Sequence, residues 1–228
     1  MTGVWAVLVA AGRGERLGGD RPKAFARLRG RPLLAESVER LERSEWVEAI
    51  VVVASAGWEE PAILLTEELG AGKVHAVVTG GETRAGSVRA GLAELPNAAT
   101  VVLVHDAARP LLAPEVIERV VTALGDGWDG AVPALPLADT VKRVEGERVV
   151  ETPERSNLYA VQTPQAFVAE TLRAALSREA TPLSDCAGFV EAAGGRVRVV
   201  AGDPRLLKVT TQADLELVES LLAERRPA

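Results

Sequence analysis

The 228-residue sequence predicts an α/β chain, with a mostly parallel sheet between helices and one projecting β-arm at residues 136–158. Three observations carry that expectation. Short, continuously apolar runs such as Ala49-Ile50-Val51-Val52-Val53-Ala54 have the pattern of strands covered on both faces. Between them, apolar residues recur three and four apart, the spacing of one helix face. A charged hairpin with a glycine at its turn breaks the alternation once.

In chain order, Trp5-Ala6-Val7-Leu8-Val9 is the first strand and opens into the glycine-rich stretch Gly12 to Lys23. Leu28 to Pro32 reads as a tight turn, after which Pro32 suits the first position of a helix reaching Arg43, with Leu34, Val38 and Leu41 on one face. Strand 49–54, helix 61–69, strand 75–79, helix 84–95, strand 100–104, helix 114–124 and a short strand at 130–133 follow. Strict alternation of this kind implies parallel strands joined by right-handed crossovers. The hairpin then pairs 140–144 with 148–151 around Gly146. It carries few large apolar residues, so an isolated ribbon there is marginal and is expected to pack on something else, most simply a second subunit. The chain returns through Tyr159 to Gln162, helices at 168–178 and 185–193, a strand at 197–200, and the apolar stretch Leu206 to Val209. Thr211, with Asp214 three residues on, caps a last helix. No repeat or linker interrupts the sequence, which therefore reads as one domain, 1–228, plus its arm.

Charge and rare residues bound the function. The net charge is −6, yet Arg13 to Arg31 holds seven basic residues against Glu15 and Asp20, a local +5 that leaves −11 elsewhere. Positive charge is thus concentrated where the glycines are, which fits an anionic small molecule and not the broad basic face of a nucleic-acid binder. No apolar run is long enough for a membrane span and no cleavable leader is apparent, so the chain reads as cytoplasmic. A single cysteine, Cys186, excludes an intrachain disulfide; with two histidines, 75 and 105, any metal is expected to be Mg²⁺ held by a carboxylate and substrate phosphates. Cys186, His75 and His105 read as packing or structural residues.

Ligands of open α/β sheets sit beyond the carboxyl ends of the strands. The polar residues there are Gly12 to Lys23, Gly80 to Arg84, His105-Asp106 with Arg109, and Lys208 to Thr210. The glycine pattern is not a dinucleotide fingerprint, because no acidic residue closes the second strand, and no glycine precedes Lys-Ser or Lys-Thr as in a P-loop. What remains is a loop shaped for a polyphosphate, in which bare backbone amides approach the anion and cations neutralise it. Asp106 at a strand end suits Mg²⁺, substrate hydroxyls, or a pairing with Arg109.

Six ordered motifs, Ala10-Ala11-Gly12-x-Gly14-x-Arg16 with Pro22-Lys23, Gly80-Gly81-x-x-Arg84-x-x-Ser87, Val104-His105-Asp106-Ala107-Ala108-Arg109-Pro110, Asp139-Thr140-x-Lys142, Gln162-Thr163-Pro164-Gln165 and Lys208-Val209-Thr210, resemble the 2-C-methyl-D-erythritol 4-phosphate cytidylyltransferase family. The resemblance spans essentially the whole chain. It implies a single Rossmann-like nucleotidyltransferase domain, homodimeric through the arm, that moves CMP from CTP to methylerythritol phosphate with Mg²⁺ as cofactor. By position, Arg16 and Lys23 match the residues that stabilise the transition state, and Arg155 and Lys208 those that place the acceptor phosphate. Ala10, Ala11, Gly12, Gly14, Gly81, Glu82, Ser87 and Asp106 match the nucleotide side. Asp106, Arg109, Thr140 and Thr163 match the acceptor side, with Arg155 and Lys208.

Two departures stand out. Ala24 replaces the usual glutamine after Pro22-Lys23, and Ser184-Asp185-Cys186 replaces Thr-Asp-Asp, with Ser184 expected to keep a helix-capping role. A ribitol 5-phosphate cytidylyltransferase shares most of these motifs, and a non-catalytic CTP sensor shares the fold. Those are the two alternative readings.

Overall fold

A computed structural model describes residues 3–12, 14, 17, 21–177 and 183–224. β1 (Val4–Ala10) is apolar from end to end. A 3-10 turn at Lys23–Phe25 and a small ribbon, β2 (Arg27–Leu28) with β3 (Arg31–Pro32), lead into α1 (Leu33–Glu42). Then follow β4 (Ala49–Ala54), α2 (Glu59–Glu68), β5 (Val74–Thr79), α3 (Arg84–Ala93), β6 (Val101–Asp106), α4 (Pro114–Thr122) and β7 (Gly130–Pro136). The arm is β8 (Arg143–Glu145) and β9 (Arg148–Glu151), followed by a 3-10 turn at Arg155–Asn157. β10 (Tyr159–Val161), β11 (Gln165–Val168), α5 (Ala169–Ser177), α6 (Cys186–Ala192), β12 (Val197–Ala201) and α7 (Gln212–Glu224) complete the chain. Arg178, the expected end of α5, lies outside the described residues, and none of the helices described is long and apolar enough to cross a membrane.

The main sheet has eight strands, with β6, β1, β4 and β5 in parallel. β11 runs antiparallel to both β6 and β7, and β10 antiparallel to β7. Gly130 of β7 pairs with Phe167 and with Val197, so β12 must lie on the opposite edge of β7 from β11, running parallel to β7. From the sequence neither β11 nor the short β10 is marked as a strand, and the β2–β3 ribbon reads as a tight turn; β11 is the one that lies inside the main sheet, between β7 and β6. Its four residues are too few to show a period, and the helix that follows begins at once.

Side chains alternate across the central strands, as a pleated backbone requires. Ala6, Leu8, Ile50, Val52 and Leu103 face α1 and α4, meeting Leu34, Val38, Ile117 and Val120. Val7, Val51, Val53, Val102 and Val104 face the other way, onto Val88 and Leu92 of α3, Leu172 of α5 and Phe189 of α6. Burial of a leucine or valine in these layers stabilises by roughly 1.5–3 kcal/mol each. α7 joins through Leu215 and Val218, which cover Leu28, Leu33, Leu111 and Val209. Its start is the expected capping arrangement. The Asp214 amide donates to Thr211 Oγ1 at 3.3 Å, and Asp214 Oδ2 accepts from the Thr210 and Thr211 amides, both at 2.8 Å. Leu206 to Val209 is irregular backbone, fastened to the turn after β6 by the Val209 amide, which donates to the Ala108 carbonyl at 2.8 Å. α6 corrects one expectation: its cap is Asp185, not Ser184, and Asp185 Oδ1 accepts from the Gly188 amide at 3.0 Å.

Candidate active site

The loop after β1 closes on itself before it reaches Lys23. The Lys23 amide donates to the Gly12 carbonyl at 3.0 Å, and the Leu17 amide to the Gly14 carbonyl at 2.8 Å. Gly14 has φ +75°, and a Cβ there would come within 3.1 Å of the Lys23 backbone, so the closure depends on glycine. The Lys23 ammonium donates to the Val209 carbonyl at 3.0 Å, which ties this loop to the segment bearing Lys208. Arg16, the other expected catalytic cation of the loop, lies outside the described residues, as do Arg13, Glu15, Gly18, Gly19 and Asp20.

A second wall comes from the end of β5. A Cβ on Gly80 would strike Ala11 Cβ and come within 2.9 Å of Ser87 Oγ, and one on Gly81 would come within 2.9 Å of the Gly86 backbone. Only glycine allows the two loops to approach this closely. Thr83 caps α3 by accepting from the Gly86 amide at 3.0 Å. The Ser87 hydroxyl is directed at the carbonyls of Gly81 and Thr83, at 3.3 and 3.1 Å.

Between these walls lies a cleft of about 950 Å³. Of the expected site residues, Ala10, Ala11, Gly12, Gly14, Lys23, Gly81, Glu82, Ser87, Asp106 and Lys208 line it. Thr83, Arg84 and Thr210, which lie in the strand-end stretches named from sequence, also face it, as does Trp58, which the sequence did not single out. Arg84 opens α3 just beyond the Gly80-Gly81 pair, so the helix start brings this cation to the same wall as the glycines.

Asp106 is the charged centre of the cleft. Its Oδ1 accepts from Arg84 Nε at 3.2 Å and Nη2 at 3.1 Å, while Oδ2 accepts from Lys208 Nζ at 2.7 Å. Burial pushes this carboxyl up, but Arg84 and then Lys208 outweigh burial and hold it below the usual carboxylate range. The pairing anticipated with Arg109 is absent from the salt bridges of the described residues. Arg109 instead donates through Nη1 to the Leu206 carbonyl at 2.8 Å and through Nη2 to the Val161 carbonyl at 3.5 Å. Arg84 Nη1 also reaches Cys186 Sγ at 3.5 Å; burial pushes that thiol up to about 11, so it stays neutral and leaves the guanidinium charge to Asp106.

Beneath Asp106, His105 is fully buried, and burial pushes its imidazole down to about 4. Nε2 lies 3.2 Å from the Arg109 carbonyl, which can only accept, so the proton sits on Nε2. Nδ1 then accepts from the Thr163 hydroxyl at 3.1 Å, and Thr163 Oγ1 accepts from the Asp106 amide at 3.0 Å. Thr163 and Arg109 were expected on the acceptor side; neither belongs to the described lining of the cleft. Thr140 and Arg155 sit exposed on the arm, where Arg155 Nη1 donates to the Ala138 carbonyl.

Asp106 fits poorly as a holder of Mg²⁺. Three N–H donors already occupy its two oxygens, which offer about four lone-pair sites, and a divalent ion there would press against two cations. No cluster of three His, Cys, Asp or Glu side chains suited to a metal occurs among the described residues.

Comparison with known proteins identifies the family. The profile of the family described as 2-C-methyl-D-erythritol 4-phosphate cytidylyltransferase matches residues 4–224. Relatives of that name from Frankia casuarinae and Nocardia farcinica are each 48% identical to the chain, over 99% and 97% of it and over 83% and 95% of their own lengths. The crystal structure of the Thermus thermophilus protein of the same name superposes with a TM-score of 0.78 at 32% identity, covering 96% of this chain and 98% of that one. A 4-diphosphocytidyl-2C-methyl-D-erythritol synthase from Anaerococcus prevotii reaches a TM-score of 0.83 at 26% identity, with the same coverage.

Proposed function

The chain belongs to the 2-C-methyl-D-erythritol 4-phosphate cytidylyltransferase family, and from that premise we infer that its cleft holds CTP against the Gly12 and Gly81 walls and the acceptor beside the Asp106–Lys208 pair. The reaction is transfer of CMP from CTP to 2-C-methyl-D-erythritol 4-phosphate, giving 4-diphosphocytidyl-2-C-methyl-D-erythritol and pyrophosphate, a step of isoprenoid biosynthesis. An oxygen of the acceptor phosphate bonds to the α-phosphorus of CTP as the bond to the β-phosphate oxygen breaks. Two anions must meet, and the leaving group needs no proton, so positioning and charge neutralisation supply most of the rate.

The roles follow from position. Ala10, Ala11, Gly12, Gly14, Gly81, Glu82 and Ser87 form the cytidine and triphosphate walls. Lys23, with Arg16, meets the phosphates where negative charge grows. Lys208 draws in the acceptor phosphate and Asp106 accepts from the acceptor's hydroxyls. Arg109 acts through the backbone, holding Leu206 and so the segment that carries Lys208. Thr140 and Arg155 complete the acceptor side of a neighbouring copy in a homodimer joined through the arm, 136–158. Mg²⁺ enters on the triphosphate, because the nucleotide phosphates are better ligands than an Asp106 already covered by two cations. The substrates and the lone cysteine favour a cytoplasmic setting, and the single basic loop favours small anions over nucleic acid. The observation that carries this reading is the Lys23 to Val209 hydrogen bond, which binds the polyphosphate loop to the Lys208 segment within one cleft.

The test is CTP-dependent release of pyrophosphate with two acceptors supplied separately. Methylerythritol phosphate should support turnover, and ribitol 5-phosphate should not. Turnover with ribitol 5-phosphate alone would move the chain to that activity, and CTP binding without transfer to either would leave a nucleotide sensor.

A further inference from the structure

We propose that His105 and Thr163 form a buried latch that positions Asp106 and Lys208 from below; the proposal rests on the reading that Asp106 binds the acceptor's hydroxyls. A hydroxyl has one hydrogen to give, and that of Thr163 goes to His105 Nδ1 at 3.1 Å. One of its lone pairs takes the Asp106 amide at 3.0 Å. The side chain is therefore spent inward, and Thr163 is only 4% exposed.

His105 completes the circuit. Its Nε2–H points at the Arg109 carbonyl at 3.2 Å, so the chain of hydrogen bonds runs from the backbone of residue 109 through two side chains to the backbone of residue 106. Those two residues also bound a turn closed by the Arg109 amide, which donates to the Asp106 carbonyl at 2.9 Å. The latch thus fixes both ends of the turn. The same turn anchors Lys208: its Ala108 carbonyl accepts from the Val209 amide at 2.8 Å, and Arg109 Nη1 holds the Leu206 carbonyl at 2.8 Å. Asp106 and the segment bearing Lys208 both hang from one four-residue turn, and the turn is held from beneath by His105 and Thr163.

Buried hydrogen bonds left without a partner cost about 1–3 kcal/mol. Thr163→Val, which keeps the shape and removes the hydroxyl, should lower kcat/KM for methylerythritol phosphate by roughly ten-fold or more, with the affinity for CTP changed by less than about two-fold. Thr163→Ser should restore most of the loss. His105→Leu should act in the same direction, and the Thr163→Val/His105→Leu double variant should be little worse than the poorer single one, because both cut one circuit. His105→Asn offers Thr163 an acceptor again and should fall between; it carries the test where His105→Leu does not fold. Equal losses with Ser and Val at position 163, losses that add in the double variant as direct substrate contacts would, or an equal weakening of CTP and acceptor would each overturn the latch. Asp106→Asn separates the two levels. An unchanged KM for the acceptor in that variant removes the underlying reading, whereas a raised KM there with an unaltered Thr163→Val enzyme removes the latch alone.

Discussion

Asp106 stays ionised in a buried setting because two cations reach it from distant parts of the chain, Arg84 from 22 residues before and Lys208 from 102 residues after. His105, next to it, shows the opposite response: burial outweighs the pull of the Asp106 carboxylate, so the imidazole stays neutral, pushed down to about 4. The signs separate in pH. Between the ordinary histidine value near 6.5 and about 4, the unfolded chain binds a proton at His105 that the folded chain does not. Stability must therefore fall as pH falls through that window, by roughly 3 kcal/mol at most. Asp106 is held down, so its contribution is complete above the ordinary aspartate range and is lost only on further acidification. Urea denaturation at pH 6.5 and 4.5 should show the wild type losing more stability than His105→Asn, whose side chain does not titrate. Equal losses would mean that His105 is not the group responsible. At this scale the sequence exposed residue types but not partners. Asp106 stood out as a carboxylate at a strand end, yet its partners Arg84 and Lys208 come from separate segments that meet only once the sheet has formed.

At the scale of elements, the parallel strands were legible because a strand covered on both faces is apolar along its length, as β1 and β4 are, and β6 as far as Val104. β11 escaped because it has only four residues, and the antiparallel orientation of a strand leaves no trace in hydrophobicity. The approach of α3 to the sheet was also hidden. A Cβ on Gly91 of α3 would come within 2.5 Å of Val7 Cγ1 on β1 and 3.0 Å of Val53 Cγ2 on β4. Alanine is the better helix former by about 1 kcal/mol, but overpacking a core of stiff valines costs about 1–3 kcal/mol. Gly91→Ala should therefore lose stability, seen as a lower urea midpoint at unchanged m-value. A second effect is expected, because α3 carries Arg84 and Ser87 into the cleft and a shifted helix moves both. CTP affinity should fall as well. Higher stability in Gly91→Ala would show that the two valines can give way and that the close approach is not a constraint.

Over the whole molecule, two residues expected at the acceptor, Thr140 and Arg155, lie apart from the described lining of the cleft. Both strands of the arm, β8 and β9, are exposed throughout, and Val144 and Val149 are 56% and 52% accessible on a ribbon too short to hold apolar groups for its own core. Tyr159 and Val161, in the strand that follows the arm, are also open at 48% and 41%. Arg155 and Thr140 lie along this same stretch, away from the described lining of the cleft. A two-fold dimer would cover the valines and carry each Arg155 to the neighbouring site, and it makes a quantitative prediction. Lys23→Ala and Arg155→Ala homodimers should each be nearly inactive. After subunit exchange in equal amounts, half of the dimers are mixed, and each mixed dimer has one site with both lesions and one with neither. Activity should then return to about a quarter of the wild-type value. If the arm served its own cleft, every site would keep a lesion and nothing would return. Mixed dimers isolated by two different affinity tags settle the matter: absence of recovery in them would mean that the arm joins the subunits without completing the site.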